Sequence, residues 1–205
     1  MRERTRVEAV DCEAGTVTLA DGETLEGKRI VIAAGAWGKR LVPALTGELG
    51  TFRTAVAYLE PPADLRPAWD AAPVIVTAGG DIDGYIIPRS GDGGLKFGAG
   101  VHRRPAEDPD AERLPRDGEG EAIRDLFAPQ IARLGEYAVQ EVVTCAYAFT
   151  RDDRFFAARS GRAILVSACS GHGYKFGAAV GLRVAEAVEN GDFEGLLRWL
   201  RAQAD

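Results

Sequence analysis

The chain has few of the residues that build metal centres and disulfide frameworks. Its 205 residues include only three cysteines and two histidines. The cysteines (Cys12, Cys145 and Cys169) have no metal-ligand spacing, and His102 lies far from His172, so a zinc site is not expected. An odd number of cysteines favours a reducing cytoplasm over a disulfide framework.

Long apolar runs and an excess of positive charge are also missing. No apolar stretch approaches membrane-spanning length, and none follows the charged residues 1–6, so neither a membrane span nor a signal peptide is predicted. The formal net charge is −6, with 25 Lys and Arg against 31 Asp and Glu. Because no basic stripe offsets this balance, a nucleic-acid partner is not expected. We therefore predict a cytoplasmic protein that binds neither nucleic acid nor membrane.

A dinucleotide-binding fingerprint is a third absence. No predicted strand is followed by Gly-x-Gly-x-x-Gly and a helix, which is the motif that holds a pyrophosphate in nucleotide-binding α/β folds. The nearest match, at Gly171 and Gly173, lacks the third glycine at the required place. The sequence therefore offers no phosphate-binding loop of this type.

What the chain does have is a strand, a glycine-rich turn and a helix near its C-terminus. Ala163 to Ala168 is an apolar run typical of a buried strand, and Tyr174 to Glu189 is a small-residue helical pattern. The helix is predicted to stop at Asn190-Gly191, a pair suited to a left-handed cap. Between strand and helix, Ser170 to Phe176 would direct free N–H groups and the helix dipole at a ligand. The alternative is an ordinary turn whose glycines only solve a backbone problem.

Residues 1–50 and 143–205 predict two pieces of one layered α/β body. The predicted elements are a hairpin over Val7 to Leu19, a strand over Arg29 to Gly35 buried on both faces, a short helix with Leu41, Val42 and Leu45, a long strand over Val139 to Phe149 and a last helix over Phe193 to Gln203. Small residues at the end of the strand Arg29 to Gly35 and just after it would let a ligand or another backbone approach closely. Tight packing alone would explain them equally well.

Residues 51–142 predict an inserted antiparallel meander with one helix, which makes the fold class α+β. The predicted strands are Phe52 to Glu60, Val74 to Thr77, Tyr85 to Pro88 and Leu95 to Val101, separated by Gly- and Asp-rich turns. His102 to Arg116 is predicted to be an exposed loop. Gly118 to Leu134 is predicted to be a helix that breaks or kinks at Pro129.

Five side chains in these elements could carry chemistry. Tyr85 and Lys96 lie on neighbouring predicted strands, so they can share one face of the sheet. Cys145 and Tyr147 alternate by two on one strand, so they face the same side. Each also has an ordinary alternative, since a strand lysine is usually solvated, a strand tyrosine usually packs and a lone cysteine is usually a small buried apolar group. The apolar neighbours of Lys96 are compatible with a half-buried, functional lysine. Lys175 adds a full positive charge to the helix-opening turn.

These segments, in this order, resemble the D-amino-acid-oxidase-like FAD-dependent oxidoreductases. The branch that they resemble most is that of monomeric sarcosine oxidase and N-methyltryptophan oxidase. The resemblance covers nearly the whole chain, and its motifs are Ile30 to Trp37, Gly94 to Gly98, the pair Cys145 and Tyr147 followed by Thr150, Asp152 and Phe155, and Ser170 to Phe176. It implies an FAD cofactor and oxidation of a C–N bond in an amine or (N-methyl) amino acid, with hydride transferred to flavin and peroxide formed.

The resemblance also implies roles for single residues. Cys145 matches the cysteine that forms a thioether to the flavin 8α-methyl group. Lys96 matches the lysine that promotes the reaction of reduced flavin with oxygen, and Lys175 matches the lysine that contacts the substrate carboxylate. Tyr85 and Tyr147 match tyrosines that line the substrate pocket. The residues expected beside the flavin are Gly35, Trp37, Gly171, His172, Gly173 and Lys175.

The sequence departs from the family in two ways. The family's pocket histidine aligns with Gly100, with His102 displaced by two positions, which leaves the substrate open. The family's first Rossmann βαβ half has no counterpart, so the resemblance is to the C-terminal half only. It implies a flavin-domain segment over 1–50, a substrate-binding sheet with a helix over 51–142 and a C-terminal flavin-domain segment over 143–205.

Two functions follow from the missing half. In the first, the chain is the substrate-facing half of an FAD-dependent oxidase. In the second, it is a truncated or split non-catalytic module, or a partner subunit, that cannot bind FAD alone. A separate chain would then supply the Rossmann half. The exposed faces of Arg29 to Gly35 and Ala163 to Ala168 would also favour self-association.

Overall fold

The computed structural model describes residues 1–45, 47, 49–91, 93–167 and 170–202. Ala168, Cys169 and Gln203, which belong to the predictions above, lie outside the described residues. The strands are β1 (Val7–Asp11), β2 (Thr16–Leu19), β3 (Thr24–Glu26), β4 (Ile30–Ile32), β5 (Gly50–Glu60), β6 (Ile75–Ala78), β7 (Gly84–Ile87), β8 (Leu95–Pro105), β9 (Ala138–Phe149), β10 (Phe156–Ser160) and β11 (Ala163–Ser167). The helices are α1 (Gly38–Leu41), α2 (Arg66–Asp70), α3 (Glu119–Asp125), α4 (Gly173–Asn190) and α5 (Phe193–Leu200), with short 3-10 turns at Gly35–Trp37, Pro43–Leu45, Gly80–Ile82 and Leu134–Glu136.

The chain divides into two compact units. Unit 1 is Met1–Thr51 with Tyr147–Asp205, and unit 2 is Phe52–Ala146. None of the described helices is long and apolar enough to cross a bilayer. Within the same described residues, no three His, Cys, Asp or Glu side chains are grouped to hold a metal ion.

Unit 1 contains two small sheets. The predicted hairpin forms β1 and β2, and β3 extends it into an antiparallel sheet. The second sheet has the order β10-β11-β4, in which β11 is antiparallel to β10 and parallel to β4. All five residues of β11 are buried, as predicted from their apolar run. The exposed face that was also expected on Ala163 to Ala168 is therefore wrong for the described residues of this strand. Strand β4 has only three residues, and Val31 is 44% exposed although Ile32 is 5% exposed. The predicted burial of this strand on both faces is therefore wrong.

Helices α4 and α5 cover one face of β11. Their apolar side chains form a cluster with that strand, made of Ile164, Val166, Val180, Val184, Ala187, Phe193, Leu196 and Leu200 among others. Helix α4 ends as predicted at Gly191, whose φ of 80° is the left-handed conformation that glycine adopts freely. Helix α5 begins after Asp192, whose carboxylate accepts the N–H of Gly195 at 2.9 Å.

Unit 2 is built on a five-stranded sheet of order β6-β7-β8-β5-β9. Strands β6, β7 and β8 follow one another as the predicted meander, but β5 pairs with β8 instead of β6. Burial alternates residue by residue along β5, as expected of a sheet with one face on the core. The core face packs against α2 through Trp69 and against α3 through Ile123. The same cluster includes Phe97, Phe127 and Tyr137, among others. We call the opposite face, which carries Tyr58, Tyr85 and Lys96, the lysine face.

Two predictions for residues 102–134 are wrong. Strand β8 continues to Pro105, where an exposed loop was predicted, and His102 and Arg104 both bond to the buried carboxylate of Glu119, at 3.0 and 2.6 Å. Helix α3 ends at Asp125. It cannot continue past this point with regular hydrogen bonds, because Pro129 has no N–H to donate to the Asp125 carbonyl.

Candidate functional site

A pocket of about 490 Å³ lies in unit 1 at the carboxyl ends of the parallel strands β4 and β11. Ligands of open α/β sheets bind outside this end of the strands. Gly35 follows β4, and Gly171 and Gly173 follow β11, so both strand-end turns contribute glycines to the pocket wall. Tyr147 and Ser167 also line it.

One side of the pocket is a glycine face on α4. Gly173, Gly177 and Gly181 recur every four residues, so they lie on one side of the helix. A Cβ at Gly177, Gly181, Gly35 or Gly171 would meet no atom within 4 Å. These glycines therefore border open space instead of relieving a clash, and they leave room for a flat ligand.

The turn that opens α4 is held in an unusual conformation by a hydrogen-bond network. Ser170 has φ 44° and Gly171 has φ 75°, both in the left-handed region. The Ser170 hydroxyl accepts the N–H of Thr150 at 3.2 Å and donates to the carbonyl of Arg154 at 3.2 Å. The side chain of His172, the N-cap residue of α4, makes no capping hydrogen bond. The first N–H groups of α4 are thus available to a ligand with negative charge.

Ser167 is a buried polar side chain on the pocket wall. It is 3% exposed, and its Oγ has no hydrogen-bond partner among the described residues. A buried hydroxyl left unpaired costs free energy, and this cost disappears when a ligand supplies the partner. Its position on the pocket wall therefore favours a ligand that carries a polar atom.

The predicted site residues of unit 1 separate into two groups. Gly35, Tyr147, Gly171 and Gly173 line the pocket. Trp37, His172 and Lys175 are exposed and are not among the residues that line it. The Lys175 Nζ lies 5.8 Å from the centroid of the neighbouring Phe176 ring.

The predicted site residues of unit 2 lie together on the lysine face. Tyr85 pairs with Gly98 in the ladder and Lys96 pairs with Ile87, which places the lysine diagonally beside the tyrosine. The Lys96 Nζ is 5.8 Å from the centroid of the Tyr85 ring. Burial raises the pKa of the Tyr85 hydroxyl, and the nearby Cys145 adds to the effect. Cys145 itself is a half-buried free thiol.

Glycines in β8 leave room for side chains of the lysine face to pack directly on the backbone. A Cβ at Gly98 would lie 2.5 Å from the Tyr85 Oη, so the ring rests on bare backbone. At Gly100, where the resemblance places a histidine, the side chain of Asp83 occupies the space. Asp83 and Tyr58 were missed by the sequence reasoning. Glycines at alternate positions of a predicted strand are the signal that could have found them, since they indicate a close approach by a neighbour.

Comparisons with known proteins place this geometry in context. The family described as FAD dependent oxidoreductase matches residues 1–187. No curated protein sequence matches the chain.

Solved structures resemble the chain at TM-scores above 0.7. Fructosamine oxidase (Amadoriase II) from Aspergillus fumigatus matches with TM-score 0.74 and 17% identity over 95% of this chain and 50% of that one. A modified fructosyl peptide oxidase from Aspergillus nidulans matches with TM-score 0.72 and 17% identity over 95% and 50%. An Amadoriase I mutant from Aspergillus fumigatus gives TM-score 0.73 and 18% identity over 90% and 45%. The chain thus spans about half the length of these structures. The predicted α+β fold class is confirmed.

Proposed function

Because the chain belongs to the FAD dependent oxidoreductase family, we propose that it forms the flavin-contacting and substrate-facing part of an oxidase. Its substrate would be an amine or amino acid whose C–N bond is oxidised. The similarity to a fructosamine oxidase and a fructosyl peptide oxidase supports a nitrogen-bearing substrate at this general level. The family predicted from sequence is confirmed, whereas the sarcosine oxidase and N-methyltryptophan oxidase branch stays a prediction.

The fit of the unit 1 pocket to FAD is the observation that carries the proposal. Open glycine walls suit a flat ring, and the orphaned Ser167 hydroxyl offers it a hydrogen bond. The backbone at Gly171 and Gly173, with the N-terminus of α4, suits the negative charge of a reduced flavin. When bound, FAD would supply the hydride acceptor for the substrate and the transfer of electrons to oxygen that gives peroxide. Trp37 and His172 are proposed as further cofactor neighbours.

The lysine face supplies the groups proposed for the substrate and for oxygen. Lys96 would place a positive charge where oxygen is reduced, and this charge would stabilise the negative charge that develops there. Its half-buried position strengthens the electric field of the ammonium group. Tyr85 and Tyr147 are proposed to line the substrate site, and Lys175 is proposed to pair with a substrate carboxylate. Each of these side chains binds or orients, and the redox chemistry belongs to the cofactor.

Mass spectrometry can test the proposal, because an FAD covalently bound to Cys145 would increase the mass of the chain. A free, half-buried thiol is a suitable partner for a thioether to the flavin 8α-methyl carbon. That bond would replace the S–H bond and one methyl C–H bond, and the two electrons would reduce the flavin, which oxygen would then reoxidise. The chain is purified under denaturing conditions, and its intact mass and the peptide containing Cys145 are measured, with Cys145→Ser as the matched control. The preparation is made alone and together with a polypeptide that carries a Gly-x-Gly-x-x-Gly βαβ unit.

The result separates two candidate functions. We expect the mass of one FAD on Cys145 in the joint preparation and none in the Cys145→Ser control. The second candidate, a subunit that binds FAD only with another polypeptide, is motivated by the sequence, in which no predicted strand is followed by Gly-x-Gly-x-x-Gly and a helix. An adduct on the chain alone would refute this second candidate. No flavin bound in either preparation, covalently or not, would refute both.

A further inference from the structure

Lys96 stands between two tyrosines that come from different neighbouring strands. Tyr58 on β5 is its direct ladder partner. On β7 the direct partner is Ile87, and Tyr85 lies diagonally beside the lysine. Directly paired side chains of an antiparallel ladder project on the same face with Cβ atoms about 5 Å apart. The lysine stem is therefore flanked on both of its sides, although the sequence reasoning identified only Tyr85.

The strand that carries Lys96 contributes no flanking side chain of its own. The positions two residues before and after it, which share its face, are Gly94 and Gly98. A Cβ at Gly94 would lie 3.1 Å from the Tyr58 Cδ1, and a Cβ at Gly98 would lie 2.5 Å from the Tyr85 Oη. Tyr58 thus packs over Gly94, and Tyr85 packs over Gly98, on opposite sides of Lys96 along β8.

The two rings are also close enough to influence one another. Tyr58 is among the groups, after burial and Cys145, that raise the pKa of the Tyr85 hydroxyl. Tyr58, Tyr85 and Lys96 are all half-buried. They form a continuous row in which the ammonium group lies 5.8 Å from one ring centroid, within the range of a cation–π contact.

From this arrangement we propose that Tyr58 is a positioning residue for Lys96, acting as the second half of an aromatic clamp with Tyr85. An unrestrained lysine samples many rotamers, so a charge that must act at one point loses effectiveness unless its stem is held. The clamp confines the stem between Tyr58 and Tyr85, and the glycines at 94 and 98 give the rings the room to lie there. The part played by the clamp in oxygen reduction rests on the proposed function, but the clamp itself does not.

The test measures the reactivity of Lys96 in the chain without cofactor. The chain has only four lysines, Lys28, Lys39, Lys96 and Lys175. Competitive labelling with limiting acetic anhydride, followed by peptide mass spectrometry, therefore gives the relative rate at each lysine in one experiment. Lys28 and Lys39 serve as internal references. The variants are Tyr58→Ala, which removes the ring, and Tyr58→Phe, which keeps it.

We expect Tyr58→Ala to raise the labelling rate of Lys96 about threefold relative to the references, because one side of the stem is uncovered. Tyr58→Phe should stay at the wild-type rate, since the ring and not the hydroxyl forms the clamp. An unchanged Lys96 rate in Tyr58→Ala, or the same rise in Tyr58→Phe, would overturn the proposal. If Tyr58→Ala unfolds the chain, all four lysines rise together, and Tyr58→Leu then replaces it as the ringless variant.

The outcome is separable from that of the proposed function. The labelling needs no flavin, so a chain that never binds FAD still reports whether Tyr58 holds Lys96. In a flavin-loaded preparation, Tyr58→Ala is expected to slow flavin reoxidation by oxygen and to leave flavin reduction by substrate at the wild-type rate. An equal loss in both half-reactions would refute positioning as the role of Tyr58 in catalysis.

Discussion

Replacing Ser167 by alanine should stabilise the cofactor-free chain, although the residue is buried. Ser167 is 3% exposed, and its hydroxyl has no partner among the described residues. Leaving a buried hydroxyl unpaired costs about 1–3 kcal/mol, and alanine removes the hydroxyl while it keeps the Cβ in place. Allowing for the small loss of packing, we expect the free energy of unfolding to rise by about 1 kcal/mol.

Ser170 provides a control of the same residue type in the same unit. It is 4% exposed, but its hydroxyl both accepts from the Thr150 N–H and donates to the Arg154 carbonyl. Ser170→Ala removes both hydrogen bonds and leaves their partners short of one bond each. The free energy of unfolding should fall by about 2 kcal/mol. Two buried serines three positions apart are thus expected to respond with opposite signs.

Thermal unfolding monitored by circular dichroism measures both changes. For a protein of this size, 1 kcal/mol shifts the melting temperature by about 2–4 °C. Ser167→Ala should therefore melt about 3 °C higher than wild type, and Ser170→Ala about 6 °C lower. A Ser167→Ala chain that melts lower than wild type would mean that the hydroxyl is already satisfied. That result would also remove the reason to assign it to a ligand in the pocket.

Two further perturbations test the ion cluster and the lysine face. Burial alone would raise the pKa of Glu119, but hydrogen bonds from the Arg116 N–H, His102 and Arg104 hold it below the ordinary 4.5, so its stabilising effect is present above that pH and is lost as the pH falls through the lowered pKa. Glu119→Gln should therefore cost about 3 kcal/mol in urea unfolding at pH 7, and a series of measurements at falling pH should show this cost shrinking once the pH passes below the lowered pKa; a cost that stays constant until the chain unfolds in acid would contradict this. Lys96→Met in a flavin-loaded enzyme should slow flavin reoxidation in stopped-flow absorbance by roughly tenfold or more, the size of a lost charge interaction, and should leave flavin reduction nearly unchanged; equal slowing of both would contradict its role.

Elements with strong local signals could be predicted from the sequence. Strand β11 is a continuous apolar run, and α4 has a small-residue helical pattern with a glycine cap, so both were found within one or two residues. The hairpin β1–β2 and the long strands β5 and β9 were found for the same reason. These signals arise within one segment and do not depend on what packs against it.

Elements that depend on distant partners could not be predicted in the same way. Strand β4 has the same apolar composition as β11, yet Val31 is exposed and lines the pocket beside α4. The pairing of β5 with β8 places Tyr58 opposite Lys96, and no rule of local spacing identifies that register. Strands β3 and β10 were missed because neither is long or regular enough to stand out from the turns around it.

The glycines show why the candidate site needed the structure. In β8, the Tyr85 side chain fills the space that a Cβ at Gly98 would need, so the glycine allows the ring to lie there. In α4, Gly177 and Gly181 face space that no atom fills, so their missing Cβ atoms leave a cavity. The strand and the helix both have glycines, and the sequence alone cannot show which of these glycines is covered by a neighbouring side chain and which borders a cavity. The atoms around the position that a Cβ would occupy make that distinction. They show that the glycines of α4 border the pocket and that the glycines of β8 lie under the side chains of the lysine face. A cofactor site needs both features, a cavity for the ring and fixed polar groups to act on what it binds.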